Sequence, residues 1–441
     1  MTDTVPPHAF PRVLIVSAEP IGTGAGTGVT LSNLFNGWPT AHLAQLYTTG
    51  PEPEAGVCAT HLRLPDSSAP IDHFVRRMLG GSTKALASAA PTTAAVPSTG
   101  ALGGRRAARA RVHREMRAVA DLSLVRLPAG TAPWLRDFSP QVVYSLLGNV
   151  RLMRLAARVA QMCGRSLVPH FMDDWPSTLY TSGEMFGQAR RTVSSSLAQV
   201  IDRADRGMCI SAPMADEYQR RYGIPFTDFA NCVDEDGFRD PATRDSGLPC
   251  GELRAVYVGG LHLGRWESLL HIADVLASAD LTDVRATLTV HAPAGDLAKH
   301  GRALSAHPAV RLGRSLGQAE VADALQAADI LVHVESFDEA FARYARLSLS
   351  TKIPQYMAAG RPILGYGPPH LASMLHIQSA GAGVLVGRRD PETLSSQVRR
   401  LCHDSALREV LGANGYRYAR QHHHRAAVSA RFAQLLRDVT I

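Results

Sequence analysis

The residues Val13-Leu14-Ile15-Val16 form a short, apolar and largely β-branched run. Glycines alternate along positions 22–28 soon after it, and a helical pattern then extends from Val29 to Trp38. A strand, a glycine-rich turn and a helix in this order open a doubly wound α/β domain. A second strand is predicted near 42–46. The beginning of the chain therefore predicts a parallel sheet covered by helices.

The same alternation of short apolar strands and helical patterns continues along the chain. Further strands are predicted at 142–145, 166–171, 207–211, 253–260, 286–290, 310–312, 329–334, 362–364 and 383–386. The segment 234–251 is rich in Gly, Pro, Asp and Ser, which is typical of a domain boundary. Two Rossmann-like domains are therefore predicted, over 1–240 and 251–412. The composition of residues 80–104 predicts a mobile loop inside the first.

The overall composition is that of a globular protein. The chain has 441 residues, which is too long for one ordinary core. Hydrophobic residues make up 45% and charged residues 19%, which excludes a disordered or fibrous protein. No apolar run reaches the roughly 18 residues that span a bilayer, and the N-terminus lacks the features of a signal peptide. The six cysteines are scattered without a C-x-x-C pair, so we expect free thiols and a cytoplasmic protein.

A basic stretch runs from Arg105 to Arg117, with six arginines and one acid. Val112, Met116 and Val119 recur at helical spacing, so we expect a basic amphipathic helix. Two interpretations remain: a solvated helix face, or a surface that docks on an anionic membrane or a lipid-linked acceptor. The second would place the protein peripherally at the inner face of a membrane. Nucleic acid is not an expected partner, because no aromatic residues are interleaved with the arginines.

The first glycine loop does not carry a dinucleotide-binding or P-loop motif. Neither Gly24-x-Gly26 nor Gly26-x-Gly28 has a glycine or alanine three residues further on, and no Gly-Lys-Ser/Thr follows. What remains is bare backbone at a helix N-terminus, where Gly26 and Gly28 would let an acceptor or a phosphate approach. A tight strand-to-helix turn is the alternative.

The second half of the chain opens with a loop suited to phosphate. This loop, Gly259-Gly260-Leu261-His262-Leu263-Gly264-Arg265, lies between a predicted strand and a predicted helix. Gly259 and Gly260 are expected to expose backbone N–H groups to a ligand. The guanidinium of Arg265 adds a permanent charge and a planar fork of donors that fits a phosphate.

A second phosphate-suited loop, Ser350-Thr351-Lys352, precedes another predicted helix. Ser350 or Thr351 is expected to cap this helix, and Lys352 adds a positive charge where the helix dipole already favours an anion. Two such loops in one α/β domain predict a diphosphate ligand.

The run from Ser350 to Leu364 resembles the donor-binding helix of the GT-B fold glycosyltransferases, above all of glycosyltransferase family 4. Segments at 257–261 and within 310–330 resemble the strands and the helix around it. The resemblance covers nearly all of 250–440 and rests on architecture in the first domain. It implies two Rossmann-like domains that face a cleft, and a C-terminal helix within 413–441 that packs back on the first domain.

This resemblance implies an enzyme of the hexosyltransferase or glycosyltransferase class. The second domain would hold a nucleotide diphosphate-sugar donor, and the first would hold an acceptor hydroxyl on a glycan, a lipid-linked glycan or a small molecule. Transfer is expected to retain the anomeric configuration and to need no metal or other cofactor. Two alternatives remain open. One is another GT-B enzyme, such as a nucleotide-sugar epimerase or a phosphorylase, and the other is an inactive nucleotide-sugar binding protein.

The resemblance also implies roles for acidic and amide side chains. The position that holds the ribose, usually a glutamate, is Gln355, whose amide still forms hydrogen bonds with hydroxyls. The position of a second glutamate, near the donor sugar, falls on Asp338. Glu335 and Glu339 are near alternatives for that contact.

Two cations bind the diphosphate in many members of this family. One corresponds to Arg265 and the other falls on Gly260, so Lys352 is expected to replace the missing charge. Stabilisation of the leaving diphosphate by these cations would be the main contribution of the protein to catalysis.

Polar residues follow a predicted strand of the first domain, in Pro169-His170-Phe171-Met172-Asp173-Asp174-Trp175-Pro176. Because open α/β sheets bind ligands at the carboxyl ends of their strands, we expect His170 and Asp173 to act as catalytic residues that orient the acceptor hydroxyl and accept its proton. The alternative is a loop whose aspartate caps the next turn.

A run of three histidines, His422-His423-His424, lies near the C-terminus. Consecutive residues of a helix point in different directions, so we expect a solvated helix end and no metal site.

Overall fold

The computed structural model describes residues 10–22, 27–78, 104–234, 237–241, 252–278 and 285–440. The chain forms two compact units: the first comprises Met1–Phe229 with Val428–Ile441, and the second comprises Ala230–Ala427. Residues 80–103 of the predicted mobile loop lie outside the described residues, as does Gly26. Within the described chain, no helix is both long and apolar enough to cross a membrane.

The first unit is built on a parallel sheet of seven strands, in the order β3-β2-β1-β4-β5-β6-β7. The strands are β1 Val13–Ser17, β2 Leu43–Tyr47, β3 Thr60–Arg63, β4 Val142–Leu147, β5 Leu167–Phe171, β6 Gly207–Cys209 and β7 Phe226–Asp228. Strands β1, β2, β4 and β5 are buried along their whole length, since helices cover both faces of the sheet. The two edge strands, β3 and β7, are short and only partly buried, and the sequence did not predict them.

Helices connect these strands. They are α1 Thr27–Leu34, α2 Pro70–Met78, α3 Gly104–Leu122, α4 Thr131–Phe138, α5 Val150–Cys163, α6 Trp175–Thr178, α7 Gln188–Ile201 and α8 Ala212–Tyr222, with 3₁₀ turns at Thr40–His42, Asp66–Ser68 and Glu184–Gly187. Helix α5 has regular caps, because the Asn149 side chain accepts from the Leu152 amide at 2.9 Å and Gly164 ends the helix in a left-handed conformation.

The end of the chain is part of the core of the first unit. Phe432 packs edge-on against Phe35, Tyr144 and Phe229, with ring centroids 5.0, 5.5 and 5.6 Å away. Edge-to-face contacts add to the free energy gained by burying the rings. This aromatic cluster explains why the residues from Val428 onward belong to the first unit.

The second unit is a parallel sheet of six strands, in the order β10-β9-β8-β11-β12-β13. The strands are β8 Glu252–Val258, β9 Arg285–His291, β10 Val310–Leu312, β11 Ile330–Val334, β12 Ile363–Tyr366 and β13 Gly383–Val386. The helices are α9 Arg265–Leu276, α10 Ala294–Ser305, α11 Gln318–Gln326, α12 Glu339–Ala345, α13 Ile353–Ala358, α14 Ala372–Ser379, α15 Pro391–His403, α16 Ser405–His422 and α17 Arg425–Asp438, which enters the first unit. The predicted doubly wound α/β architecture is confirmed in both units.

The strand order fixes where a ligand site can form in the second unit. From β8 the chain proceeds to β9 and β10 on one side, and then returns to β11 on the other side. The loops after β8 and β11 therefore diverge from the same point of the carboxyl edge. Such a topological switch point is the place where open α/β sheets bind their ligands.

Candidate functional site

Arg265 and Glu335 meet at the carboxyl edge between β8 and β11. Nε of Arg265 donates to Oε2 of Glu335 at 3.1 Å, and Nη2 donates to Oε1 and Oε2 at 3.0 Å. Arg265 is the first residue of α9, while Glu335 directly follows β11. The structure thus joins a residue predicted to bind the diphosphate to one predicted to bind the sugar.

The charge of this carboxylate is balanced by Arg265 and not by the neighbouring histidine. Nε2 of His333 lies 3.5 Å from Oε1 of Glu335. Burial lowers the pKa of His333 to about 4, so the ring is neutral at neutral pH. Ser268 fixes the backbone here, because its hydroxyl donates to the Glu335 carbonyl oxygen at 3.0 Å.

The glycine loop after β8 is shaped by contacts within the protein. The Gly259 amide donates to the His291 carbonyl oxygen at 3.0 Å, so the prediction that this N–H is open to a ligand is wrong. Leu263 and Gly264 both have positive φ, 57° and 72°. A Cβ at Gly264 would lie 2.8 Å from the Ser336 hydroxyl. Glycine is therefore required where the loop turns into α9.

Tyr356 attaches helix α13 to the end of β8. Its buried hydroxyl accepts from the Val258 amide at 2.8 Å and donates to the Val258 carbonyl oxygen at 3.1 Å. The helix that carries Lys352 and Gln355 at its start is thereby held next to the loop that carries Arg265. The sequence contained no signal for this contact, which joins residues 98 positions apart.

Helix α13 begins at Ile353, with Lys352 at the N-cap position and no side-chain cap. The prediction that Ser350 or Thr351 caps the helix is therefore wrong. The Ser350 amide donates to the Ser373 hydroxyl at 3.0 Å. Thr351 is exposed. Lys352 is half-buried, and desolvation lowers the pKa of its ammonium group. A partly desolvated cation interacts strongly with an anionic ligand.

Gln355 lies in the first turn of α13 and is half-buried. Its Oε1 atom is shielded from water and accepts no hydrogen bond from any residue that the structure describes. A shielded acceptor without a protein partner is unusual, and a hydroxyl of a ligand is one group that satisfies it.

The three acidic residues considered for the donor sugar have different surroundings. Asp338 caps α12, because its Oδ1 accepts from the amides of Ala340 at 2.9 Å and Phe341 at 3.3 Å. Glu339 is exposed on the same helix. Glu335 is buried at the switch point, so of the three it is the one that lies beside Arg265.

In the first unit, His170 lies inside β5 and is fully buried. Its Nδ1 is 2.8 Å from the Tyr144 hydroxyl, and Nε2 makes no hydrogen bond within the described chain. Burial lowers the pKa of His170 to about 3. The expectation that His170 stands at an open strand end is wrong, because the apolar sequence around it continues the strand through this position.

The acidic pair after β5 is divided between two environments. Asp174 is buried and accepts from the Tyr218 hydroxyl at 2.9 Å and from Arg221 at 3.0 Å, which makes it a structural residue. Asp173 is half-buried beside it, at the carboxyl edge of the sheet. Of the two residues predicted to orient the acceptor, only Asp173 occupies the predicted place.

The N-terminus of α1 already binds a carboxylate of the protein itself, that of Glu19. Oε2 of Glu19 accepts from the amide of Thr27 at 3.2 Å and from its hydroxyl at 3.0 Å. Gly28 is buried within the first turn of the helix, with its carbonyl oxygen accepting from the Ser32 hydroxyl at 2.9 Å. A ligand phosphate at this helix start would meet the carboxylate of Glu19, so the prediction of a phosphate loop at Gly28 is corrected.

A small cavity of about 50 Å³ lies at the carboxyl edge of the first sheet, next to the switch point between β1 and β4. Its lining includes Thr48, Thr49, Asn149 and Arg151. The guanidinium of Arg151 is held between two buried carboxylates, Asp72 and Asp121. This cavity was not predicted from the sequence, although Asn149 follows the predicted strand 142–145 by four residues.

The C-terminal histidines also differ from expectation. His423 is buried, and its Nε2 lies 2.9 Å from Nε2 of His376, so this is not a fully solvated helix end. Among the residues with described positions, no three histidine, cysteine, aspartate or glutamate side chains are grouped as metal ligands.

Comparisons with known proteins agree with this geometry. A family model described as glycosyl transferase-like matches residues 276–436. No curated protein matches the sequence significantly. Sucrose-phosphate synthase from Thermosynechococcus elongatus is 14% identical with a TM-score of 0.59, over 97% of this chain and 99% of that chain. The α,α-trehalose-phosphate synthase (UDP-forming) from Burkholderia vietnamiensis is 12% identical with a TM-score of 0.62, over the same shares.

A third similar structure is that of the Anabaena protein HepE in complex with UDP and glucose. It is 13% identical with a TM-score of 0.59, over 97% of this chain and 99% of that chain. At such identities the solved structures establish the fold, and they confirm the predicted GT-B architecture. The match to the glycosyl transferase-like family model covers residues 276–436, most of the second unit, so that part of the chain is similar to glycosyl transferases.

Proposed function

We propose that the protein transfers a sugar from a nucleoside diphosphate-sugar to an acceptor hydroxyl. The observation that carries this proposal is the buried Arg265–Glu335 pair at the switch point of the second unit, where a donor would bind. The similarity to HepE in complex with UDP-glucose, and to a trehalose-phosphate synthase described as UDP-forming, supports a uridine diphosphate donor.

In this proposal each group of the donor has a partner in the second unit. Arg265 and Lys352 bind the diphosphate, Gln355 accepts a hydrogen bond from a ribose hydroxyl, and Glu335 holds hydroxyls of the sugar. The negative charge that develops on the leaving diphosphate is stabilised by fixed cations. We propose that transfer retains the anomeric configuration and needs no metal or other cofactor, because the side chains themselves supply positive charge.

For the acceptor we propose the cavity of the first unit that includes Thr48, Thr49 and Asn149. Hydroxyl and amide groups at the carboxyl edge of the sheet suit an uncharged sugar or alcohol. Asp173 remains a candidate for accepting the proton of the acceptor hydroxyl. Thr49→Val should raise KM for the acceptor and leave the Kd for UDP unchanged.

Calorimetric titration with UDP, GDP and dTDP, followed by turnover assays with the corresponding glucose donors, tests the function. We expect one nucleotide to bind in the micromolar range and its donor to be consumed, with equal rates in EDTA and in Mg²⁺. Consumption that needs no acceptor would favour an epimerase or a hydrolase. Binding without any turnover would favour an inactive binding protein, and no binding would contradict the proposal.

We also propose that α2 and α3 form a face that contacts an anionic membrane. Ile71, Phe74 and Met78 share one side of α2 and are 45%, 59% and 62% exposed. Helix α2 packs on α3, where Arg109 and Arg111 are exposed. An exposed apolar stripe beside arginines is typical of helices that lie in a membrane interface.

Vesicle co-sedimentation tests this second proposal. The wild-type protein should bind vesicles that contain phosphatidylglycerol and not pure phosphatidylcholine vesicles, with binding reduced by salt. The double variant Ile71→Ser/Phe74→Ser should lose binding, whereas Val410→Ser, which removes an apolar side chain exposed elsewhere, should not. Equal sedimentation of all three proteins would contradict the proposal.

A further inference from the structure

The donor loop of the second unit has less free positive charge than a diphosphate requires. Arg265 is already neutralised by Glu335 through three hydrogen bonds of 3.0–3.1 Å. The resemblance to glycosyltransferase family 4 places a second cation at position 260, which is Gly260 in this chain. Lys352, the other cation proposed for the diphosphate, lies at the start of α13 and not in this loop, so another side chain of the loop is expected to contribute.

His262 occupies the space that a side chain at position 260 would fill. A Cβ placed on Gly260 would lie 2.5 Å from both Cε1 and Nδ1 of the His262 ring. The His262 ring can therefore occupy this position only because residue 260 has no side chain. The imidazole is 45% exposed, so it is accessible to a ligand.

The ring of His262 is also placed beside the cation already assigned to the diphosphate. Its Nε2 lies 3.5 Å from Nη1 of Arg265, and its Nδ1 lies 3.8 Å from Oδ2 of Asp296 on α10. Asp296 is fixed by the Leu261 amide, which donates to the same oxygen at 2.7 Å. The ring thus lies between the two charged groups, with Nδ1 on the side of Asp296 and Nε2 on the side of Arg265.

We propose that His262 is a diphosphate-binding residue, which in its protonated form adds to the positive charge of Arg265 and Lys352; this inference rests on the proposed donor site. In the unliganded protein, Nε2 of His262 faces Nη1 of Arg265, a group that can only donate. A protonated ring would instead place two donors and two positive charges 3.5 Å apart, an arrangement that an anion between them stabilises. Binding of the diphosphate is therefore coupled to uptake of a proton by His262.

The other charged groups around the ring are compatible with this role. Asp296 and His300 lie on α10. Arg265 lies on α9 and forms an ion pair with Glu335. The approach of His262 lowers the pKa of Asp296, as does the Leu261 amide, so this carboxylate is ionised at neutral pH. Burial lowers the pKa of His300, so it remains neutral where an ordinary imidazole, with a pKa of about 6.5, becomes charged.

Calorimetric titration of the full-length protein with UDP at pH 6 and pH 8 tests the proposal. His262→Gln should weaken binding about tenfold at pH 6 and have little effect at pH 8. Comparing the two proteins at each pH cancels the titration of the terminal phosphate of UDP, whose pKa is near 6. His262→Lys should bind UDP tightly at both values. His403→Gln, at an exposed histidine on α15, is the matched control.

A second readout is independent of affinity. Titrations in buffers of different ionisation enthalpy should show proton uptake on binding by the wild type, and less by His262→Gln. An equal ratio of Kd values at both pH values, with unchanged proton uptake, would overturn the role of His262 while leaving the donor site intact. Failure of the wild type to bind UDP, GDP or dTDP would overturn the proposed function and this inference with it.

Discussion

Arg265 and Glu335 form a bidentate ion pair in which the carboxylate side chain is 4% exposed and the arginine side chain 16% exposed. The pair joins the first turn of α9 to the residue that follows β11, across the switch point of the sheet. Removal of one partner from a shielded ion pair leaves an uncompensated charge, so the two side chains are expected to act as a unit. Their arrangement keeps the guanidinium in one orientation.

Arg265→Ala is expected to weaken UDP binding by about 10- to 150-fold, because a hydrogen bond to a charged group contributes about 1.5–3 kcal/mol. Glu335→Gln keeps the shape of the side chain and should lower kcat/KM about tenfold or more by releasing the guanidinium. Calorimetry and donor turnover measure the two effects. Arg314→Ala breaks an exposed pair with Glu320 in the same unit and should change neither. Wild-type affinity in Arg265→Ala would exclude the assigned role.

A second prediction concerns the attachment of α13 to β8. Tyr356→Phe leaves the amide and the carbonyl group of Val258 without their partner, and an unsatisfied buried group costs about 1–3 kcal/mol. Because two groups lose their partner, we expect the free energy of unfolding to fall by at least that amount, and the Kd for UDP to rise, since α13 carries Lys352 and Gln355. Urea denaturation and calorimetry measure these changes.

Tyr416→Phe on α16 is the control for this substitution, because it also removes a hydroxyl but retains the ring that contacts Arg420. Unfolding of Tyr356→Phe at the wild-type urea concentration, with unchanged UDP binding, would show that the two hydrogen bonds do not hold the donor helix.

The sequence predicted the strands that are buried on both faces and missed those at the edge. Strands such as β1 and β4 consist of continuous apolar runs, because helices cover both of their faces. The edge strand β3 alternates half-buried and exposed residues over four positions, too few to distinguish it from a loop. Fold class was therefore predictable from the central strands alone.

Residues of the candidate site were predictable where chemistry and position coincide, as for Arg265 at a helix start. They were not predictable where a contact depends on packing between distant segments. Tyr356 contacts Val258 at a separation of 98 residues. His170 was misassigned for a related reason, since its ring packs against Tyr144 in the core. The periodicity of a strand does not distinguish a buried histidine with one partner from an exposed one.

Gln355 provides a third prediction. Its Oε1 is shielded and has no hydrogen-bond partner within the described residues, as expected if a ribose hydroxyl completes the site. Gln355→Glu would form a charge-assisted hydrogen bond there, about twice as strong as a neutral one. We expect the ratio of the Kd for 2′,3′-dideoxy-UDP to the Kd for UDP to be larger in this variant than in the wild type. In Gln355→Ala the same ratio should be smaller than in the wild type. Identical preferences in all three proteins would contradict contact with the ribose.

The buried histidine of the first unit leads to a prediction about stability and pH. Desolvation lowers the pKa of His170 to about 3 in the folded protein, while an ordinary imidazole has a pKa of about 6.5. Between these values the unfolded chain binds a proton that the folded chain does not. Stability is therefore fully present above pH 6.5 and is lost as pH falls toward 3.

From pH 6.5 to pH 5 this histidine should reduce the free energy of unfolding by about 1.6 kcal/mol, since each pH unit corresponds to at most about 1.36 kcal/mol and the unfolded histidine is only half protonated at pH 6.5. His170→Gln retains a partner for the Tyr144 hydroxyl and cannot be protonated, so its stability should fall less over the same interval. His61→Gln, at an exposed histidine on β3, should lose as much stability as the wild type. Urea denaturation at both pH values measures the difference. Parallel losses in His170→Gln and the wild type would mean that His170 is protonated in the folded protein, and that its ring is more accessible to water than the core of β5 allows.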